Sequence, residues 1–333
     1  MKRITVWMAV LLLALSSCLS ARAAEGPVVG VCIYNGQDTF IQSMFSLLET
    51  QADGRAQLHI RDAANDQNKQ NDQIGELLAL GVDALVVNPV DRTGAVYLID
   101  MAKKQGVPII MVNREPLTSD LDRYALAYYV GIDPKEQGEL SGLLAAEYFK
   151  NNPYADKNGD GVMQTVLLKG EPGHQDAELR TRYSTMAVQS AGVHMEILAQ
   201  DTAMWERSLG QEKMAAFINT FGDRIECVLC NNDDMALGAI DALKAAGYFS
   251  SGKFMPVLGI DATAPALESL RAGTLYGSVV NDAFEQARAI IELALILSDG
   301  RAVTPENFPY DVNNKVVYIK SRVITKAILE AEN

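Results

Sequence analysis

The feature that most limits how this chain can fold is a repeated alternation of short apolar runs with longer amphipathic segments. In a first series the apolar runs fall at residues 28–34, 56–63, 82–90 and 107–113. In a second series they are QTVLLKG, VHMEILAQ, IECVLCNN, MPVLGIDA and GSVVND. Such runs, separated by helical segments, are typical of parallel strands buried on both faces. The sequence therefore predicts an α/β protein with two doubly wound parallel-sheet lobes.

The segments between the apolar runs have helical periodicity. We expect helices near residues 71–80, 94–104, 177–191, 207–221, 233–246 and 263–271. A further helix is predicted at 282–298 and a final strand near 315–319. The length of 333 residues is enough for two cores.

The order of elements predicts where the lobes begin and end. We expect one lobe to hold residues 27–132 and 282–313, and the other to hold 133–281 and 314–333. Three crossovers, near Ile132, Asn281 and Asn313, would then form a hinge.

Composition excludes several classes of protein. The formal net charge is −13, and no basic stripe offers a surface for nucleic acid. The first strand is not followed by GxGxxG, and no P-loop lysine motif is present, so a dinucleotide or nucleoside triphosphate site is not supported.

The N-terminus has the features of an export signal. Lys2 and Arg3 precede an apolar run at residues 6–15 that is too short to span a membrane. Cleavage after Ala23 would remove a signal peptide of residues 1–23 and release a periplasmic protein. Alternatively, the LSSC sequence ending at Cys18 resembles a bacterial lipobox, which would anchor the protein through a lipid.

Three cysteines follow the leader, at positions 32, 227 and 230. Cys227 and Cys230 have CxxC spacing, but they lie in a continuous apolar run that predicts a buried strand. Residues three apart in a strand face opposite sides, so these thiols are expected to be buried and unpaired.

The segment from Asp156 to Gln164 has the spacing of an EF-hand calcium loop. Oxygen ligands stand at loop positions 1, 3, 5 and 9, with glycine at position 6 and a backbone carbonyl at position 7. The glutamate expected at position 12 is replaced by Leu167, so another carboxylate must complete the site. Glu226 can do so if its strand lies beside 164–170. The predicted ligands of a structural Ca²⁺ are Asp156, Asn158, Asp160, Val162, Gln164 and Glu226.

Polar side chains follow the predicted strands in both halves of the chain. In parallel sheets the carboxyl ends of strands are where ligands bind. The stretches 65–73, AYYVGID, VLLKGEPGH, DTAMW, NNDDMALGA and VVND, which include many of these side chains, resemble the periplasmic galactose/glucose-binding family of bacterial ABC transport systems. The similarity covers essentially the whole chain after the leader, and it implies a type I periplasmic binding protein with a structural calcium ion.

The resemblance implies which residues contact the sugar. The corresponding positions are Asp38, Phe40, Asn113, His174, Asp176, Arg180, Trp205, Asn232, Asp261 and Asn281. Trp205 and Phe40 would sandwich the apolar faces of a pyranose. Carboxylates and amides would meet its hydroxyls, with Asp38 on the 4-hydroxyl. Arg180 would keep Asp176 ionised.

By the same resemblance, the lobes would close around D-galactose or D-glucose, and the closed form would dock on an ABC permease and on a chemoreceptor. We expect a monomer without enzymatic activity. A different monosaccharide, such as ribose or xylose, is the alternative ligand.

The sequence disfavours two other classes of protein. A sugar-sensing transcription regulator is disfavoured because a leader stands where its helix-turn-helix would be. A glycosidase using Asp176 and Asp261 is disfavoured because Arg180 is expected to lower the pKa of both carboxyls, which would leave no proton donor.

Overall fold

The computed structural model describes residues 26–250 and 252–332, and the predicted apolar runs form strands in two six-stranded sheets. The two-sheet α/β architecture predicted from the sequence is confirmed. The predicted leader and Cys18 lie outside the described residues. Within the described ranges, none of the helices has both the length and the hydropathy needed to cross a membrane.

The first sheet has the strand order β11-β5-β4-β3-β1-β2. Its strands are β1 (Val28–Ile33), β2 (Gln57–Asp62), β3 (Ala84–Val87), β4 (Ile109–Val112), β5 (Ala127–Ile132) and β11 (Val316–Ile319). Strands β1 to β5 pair in parallel. The associated helices are α1 (Thr39–Ala52), α2 (Gln67–Ala79), α3 (Ala95–Gln105), α4 (Thr118–Leu121) and α10 (Ala283–Ser298), with a 3-10 turn at Arg92–Gly94. Strands β3 and β4 are buried along their whole length, as expected of central parallel strands.

The second sheet has the strand order β12-β10-β9-β8-β6-β7. Its strands are β6 (Val162–Lys169), β7 (His194–Thr202), β8 (Cys227–Cys230), β9 (Val257–Asp261), β10 (Gly277–Val280) and β12 (Arg322–Thr325). Only β12, at the edge, is antiparallel to its neighbour among the pairings described here. The helices are α5 (Pro134–Asn151), α6 (Gln175–Ser190), α7 (Arg207–Phe221), α8 (Asp233–Ala245), α9 (Ala264–Arg271) and α11 (Lys326–Ala331), with a 3-10 turn at Gly222–Arg224.

The chain divides into two compact units. The first unit holds the described residues up to Gln37, together with Met44–Gly131 and Phe284–Tyr318. The second unit holds Asp38–Ser43, Ile132–Ala283 and the described residues from Ile319 onward. The first turn of α1 is therefore grouped with the second sheet.

The expected boundary between residues 313 and 314 is wrong. Residues 316–319 form β11 of the first sheet, and the backbone N–H of Tyr129 donates to the carbonyl of Lys315 at 2.9 Å. The single strand expected near 315–319 is instead followed by β12, which belongs to the second sheet. Only Lys320 and Ser321 separate the two strands, so their division between two sheets left no clear mark in the sequence.

The cysteine prediction is confirmed. Cys32, Cys227 and Cys230 are buried free thiols. Cys230 packs in one apolar cluster of the second unit and Cys227 in another, which places them on opposite faces of β8. Burial raises the pKa of the Cys227 thiol to about 12 and that of Cys230 well above its usual range.

Candidate functional site

The carboxyl ends of β6, β8, β9 and β10 carry the densest group of predicted site residues. These strands pair in parallel, so the loops that follow them leave the same edge of the second sheet. His174 and Asp176 follow β6, Asn232 follows β8, Asp261 ends β9, and Asn281 follows β10.

A buried ion pair lies at the start of α6. The guanidinium of Arg180 donates to Oδ2 of Asp176 at 3.2 Å, and both side chains are almost fully buried. A second guanidinium nitrogen donates to the carbonyl of Asn231 at 2.8 Å. The four-residue spacing places both side chains on one face of the helix. Each charge therefore has its compensation inside the second unit, as a buried ion pair requires.

His174 caps α6 and packs beside Trp205. Its Nδ1 accepts the backbone N–H of Asp176 at 3.1 Å, which assigns the ring proton to Nε2 in the neutral form. The imidazole and indole rings lie edge to face, with centroids 5.0 Å apart. The imidazole is therefore fixed in orientation, and its Nε2–H is a hydrogen-bond donor.

The position of Trp205 depends on an unusual backbone and on a glycine. Met204 and Trp205 have φ values of 51° and 68°, in the left-handed region. The amide of Asn232 donates to the carbonyl of Trp205 at 3.1 Å and so holds this turn. A Cβ on Gly170 would lie 2.2 Å from the indole Cζ2, so only glycine leaves room for the ring.

Asp261 and Asn281 form a second polar pair. The amide of Asn281 donates to Oδ1 of Asp261 at 3.0 Å, and both residues are buried. Burial raises the pKa of the Asp261 carboxyl well above its usual range, and Arg180 offsets only part of this increase. The expectation of a lowered pKa at Asp261 is therefore wrong: Arg180 lowers it, but the loss of water on burial raises it more.

The first turn of α1 contributes Asp38 and Phe40. Oδ1 of Asp38 accepts the N–H of Ile41 at 3.0 Å, in the manner of an N-cap. The negative charge of Asp38 also acts on Asp261, whose pKa it raises. Phe40 is buried, and the hydroxyl of Thr39 donates to Asp234 at 2.6 Å. This turn is thus tied to the start of α8.

Asn113 follows β4 in the first unit. Its φ of 61° is left-handed, and the hydroxyl of Tyr129 donates to its carbonyl at 2.9 Å. The amide of Asn88 reaches its Oδ1 at 3.4 Å. The guanidinium of Arg114 lies 4.2 Å from the centre of the Tyr34 ring. Asn113 is therefore held in place, as expected of a residue that must present a fixed amide.

The structure groups nine of the ten predicted sugar contacts in the second unit and places Asn113 in the first. It also adds Asn231, whose Oδ1 accepts the N–H of Gly170 at 3.0 Å while its carbonyl accepts Arg180. The sequence placed Asn231 at a strand end but gave it no role. Its position beside Asn232 at that strand end is the only feature of the sequence that could have indicated a role in the site.

The predicted calcium loop is a compact turn held by its own carboxylates. Asp156 accepts the N–H groups of Gly159, Asp160 and Gly161. Glu226 lies beside the loop, as predicted, and accepts the N–H of Lys157 at 2.6 Å and that of Gln164 at 3.1 Å.

Two observations at the loop fit a cation. Oε1 of Gln164 is buried without a hydrogen-bond partner. Burial raises the pKa of the Glu226 carboxyl, and the nearby charge of Asp156 raises it further. A cation would satisfy the amide oxygen and offset this repulsion. The described residues contain no group of three or more His, Cys, Asp or Glu side chains arranged to hold a metal. The oxygens offered by the loop and Glu226 are of both carboxylate and amide type.

Comparison with protein families gives one extended match. The sequence model described as a periplasmic binding protein domain matches residues 29–302. This range spans both sheets except β11 and β12.

Individual relatives cover almost the whole chain. The D-galactose/methyl-galactoside binding periplasmic protein MglB of Haemophilus influenzae is 39% identical over 310 residues, which are 92% of this chain and 92% of the relative. A putative rhizopine-binding protein of Rhizobium meliloti is 34% identical, and the match covers 94% of this chain and 95% of the relative. An ABC transporter solute-binding protein of Bacillus halodurans C-125, solved with bound myo-inositol, has a TM-score of 0.78 at 30% identity. The match covers 93% of this chain and 98% of that structure.

Proposed function

Since this chain belongs to the periplasmic binding protein family, we propose that it binds D-galactose or D-glucose and delivers the sugar to the permease of an ABC transporter. The observation that carries this proposal is the collar of His174, Asp176, Arg180, Asn232 and Asp261 beside Trp205. Its members lie at one edge of the second sheet. Arg180 donates to Asp176, the amide of Asn232 donates to the carbonyl of Trp205, and the His174 ring packs against the Trp205 ring, while Asp261 ends β9 at the same edge.

The chemistry of the collar suits a pyranose. Each sugar hydroxyl both donates and accepts, so carboxylates and neutral amides serve it better than lysines. Charged partners make the stronger bonds, and Asp176 and Arg180 supply both signs. Trp205, and by our proposal Phe40, offer apolar surface to the C–H faces of the ring. The 39% identity with MglB, whose name gives D-galactose and methyl-galactoside as its ligands, supports a galactose-type ligand.

The protein is not an enzyme. Burial raises the pKa of the Asp261 carboxyl, so a glycosidase is not excluded by the lack of a proton donor that the sequence predicted. The assignment rests instead on family membership, because the matching proteins are binding components of transport systems. Incubation with nitrophenyl glucosides and galactosides is expected to release no nitrophenol.

We propose that the loop of Asp156, Asn158, Asp160, Val162 and Gln164, with Glu226, holds a structural Ca²⁺. The buried Oε1 of Gln164 and the position of Glu226 support this assignment. Bound calcium would neutralise the carboxylates and tie β6 to the start of β8.

Export to the periplasm is proposed from the leader of residues 1–23 and from family membership. Anchoring through Cys18 is the alternative, and mass spectrometry of the mature N-terminus distinguishes a free Ala24 from a lipidated cysteine. Recognition by a chemoreceptor and a monomeric state are proposals that rest on the family resemblance alone.

The ligand is tested by calorimetric titration of protein that has been unfolded, stripped of ligand and refolded. We expect galactose and glucose to bind more tightly than ribose or xylose, because a site that bonds each hydroxyl rejects a ligand lacking one by about 1–3 kcal/mol. We expect them also to bind more tightly than myo-inositol, which lacks the ring oxygen and the hydroxymethyl group of a hexose. Myo-inositol belongs in the panel because of the solute-binding protein of Bacillus halodurans. Tighter binding of ribose, xylose or myo-inositol would contradict the proposed ligand.

A further inference from the structure

The turn that carries Asp261 has a backbone that few residues adopt. Asp261 has a φ of 120° and Ala262 a φ of 55°, and neither residue is glycine. Such conformations cost free energy and persist only where neighbouring groups hold them. The direction of the Asp261 carboxylate therefore depends on what holds the turn.

Two buried side chains from other elements hold consecutive amides of this turn. The hydroxyl of Ser278, on β10, accepts the N–H of Ala262 at 3.1 Å and donates to Oδ1 of Asp233 at 2.8 Å. Oδ2 of Asp233, at the start of α8, accepts the N–H of Thr263 at 2.8 Å. Ser278 and Asp233 thus act as one bonded unit on the two residues that follow Asp261.

The fold makes room for this arrangement. Asp233 and Ser278 have no exposed surface. A Cβ on Gly259, in β9, would lie 2.2 Å from Oδ1 of Asp233, so glycine is required for the carboxylate to lie against the strand. Burial raises the pKa of the Asp233 carboxyl, while its bonds from Thr263 and Ser278 act in the opposite direction. A buried carboxylate in this position needs all of its donors.

We infer that Asp233 and Ser278 are positioning residues of the sugar site, which hold the turn at 261–263 so that the Asp261 carboxylate meets a sugar hydroxyl. They act through Asp261 and do not touch the sugar. The inference rests on the proposed role of Asp261 in sugar binding.

The first test compares two buried serines of the second unit. Ser278→Ala removes the hydroxyl that links the turn to Asp233. Ser269→Ala is the matched control, because its hydroxyl is also buried and lies 2.7 Å from that of Thr274, outside the turn. We expect Ser278→Ala to weaken galactose or glucose binding about tenfold and Ser269→Ala to change it less than about twofold. Equal effects of the two variants would overturn the inference.

A double-mutant cycle separates positioning from general loosening of the fold. If Ser278 acts through Asp261, Ser278→Ala should add less than about a twofold loss of affinity to Asp261→Ala. Asp233→Asn is a second single variant, nearly the same shape, and should behave like Ser278→Ala. Fully additive losses in the cycle would overturn the positioning role.

A sugar-independent measurement keeps the two proposals distinct. In ligand-free protein, Ser278→Ala should speed amide hydrogen exchange at Ala262 and Thr263, while Ser269→Ala should leave both unchanged. Wild-type protein that binds no sugar would overturn the proposed function, and with it the purpose assigned to the turn. Unchanged exchange in a protein that does bind sugar would overturn this inference alone.

Discussion

The carboxyl edges of the two sheets are built from different chemistry. In the first unit, Asn113 is held by neutral partners, the hydroxyl of Tyr129 and the amide of Asn88. In the second, buried charges are linked to one another, with Arg180 between Asp176 and the carbonyl of Asn231. Both edges use a left-handed residue directly at the strand end. Similar folds can therefore fix a polar group in two ways. One uses a few neutral hydrogen bonds, and the other uses a network of buried charges whose members depend on one another.

The largest expected effect is on the stability of the second unit. Arg180→Met should lower the free energy of unfolding by about 3–5 kcal/mol, because it removes the guanidinium that compensates the buried Asp176 carboxylate. Arg207→Met is the control, since the pair of Arg207 with Asp241 is partly exposed to solvent and should be worth less than about 1 kcal/mol. Urea denaturation measures both. Equal losses would contradict the conclusion that buried, mutually dependent charges hold the edge of the second sheet.

The next largest effect is on sugar affinity. Trp205→Ala should weaken galactose or glucose binding by at least about 100-fold, or roughly 3 kcal/mol, because the indole would no longer pack against the apolar face of the sugar. Phe254→Ala, a partly exposed aromatic of the same unit, is the control. Calorimetry gives the affinities and circular dichroism checks the fold. Normal affinity in Trp205→Ala would refute the stacking role.

Removal of calcium should affect the second unit alone. If the loop binds Ca²⁺, an ion at about one hundred times its dissociation constant stabilises the fold by roughly 2.7 kcal/mol, which chelation removes. Hydrogen exchange with and without chelator should then change around Gln164 and Cys227 but not around Val86. Glu226→Gln should reduce the response to chelator. A response centred on the first unit would contradict this site.

The smallest expected effect tests whether the first unit contributes to sugar binding. Asn113→Ala should weaken sugar binding about tenfold, the value of one or two hydrogen bonds. Asn152→Ala is the control, because the amide of Asn152 donates to the hydroxyl of Tyr148 and accepts the N–H of Tyr154, both in its own segment. An unchanged affinity in Asn113→Ala would contradict the predicted contact of Asn113 with the sugar.

The sequence predicted those parts of the fold that rest on local pattern. Buried runs such as Ala84–Val87 and Ile109–Val112 are apolar throughout, so their strands and the polar residues after them could be predicted. The division of β11 from β12 could not, because it depends on which sheet each strand joins. The pKa of Asp261 could not either, because it depends on how much water the fold excludes. Ser278 lies inside a strand and Asp233 opens a helix, so nothing local marks their link to Ala262 and Thr263.

The burial of all three thiols in the described chain has a practical consequence. Burial raises the pKa of the Cys32 and Cys227 thiols to about 12 and that of Cys230 well above its usual range. Buried thiols with raised pKa react slowly, so maleimide dyes should leave all three unlabelled. A cysteine introduced at an exposed position, for example by Tyr154→Cys, can therefore take a fluorophore while Cys32, Cys227 and Cys230 stay in place.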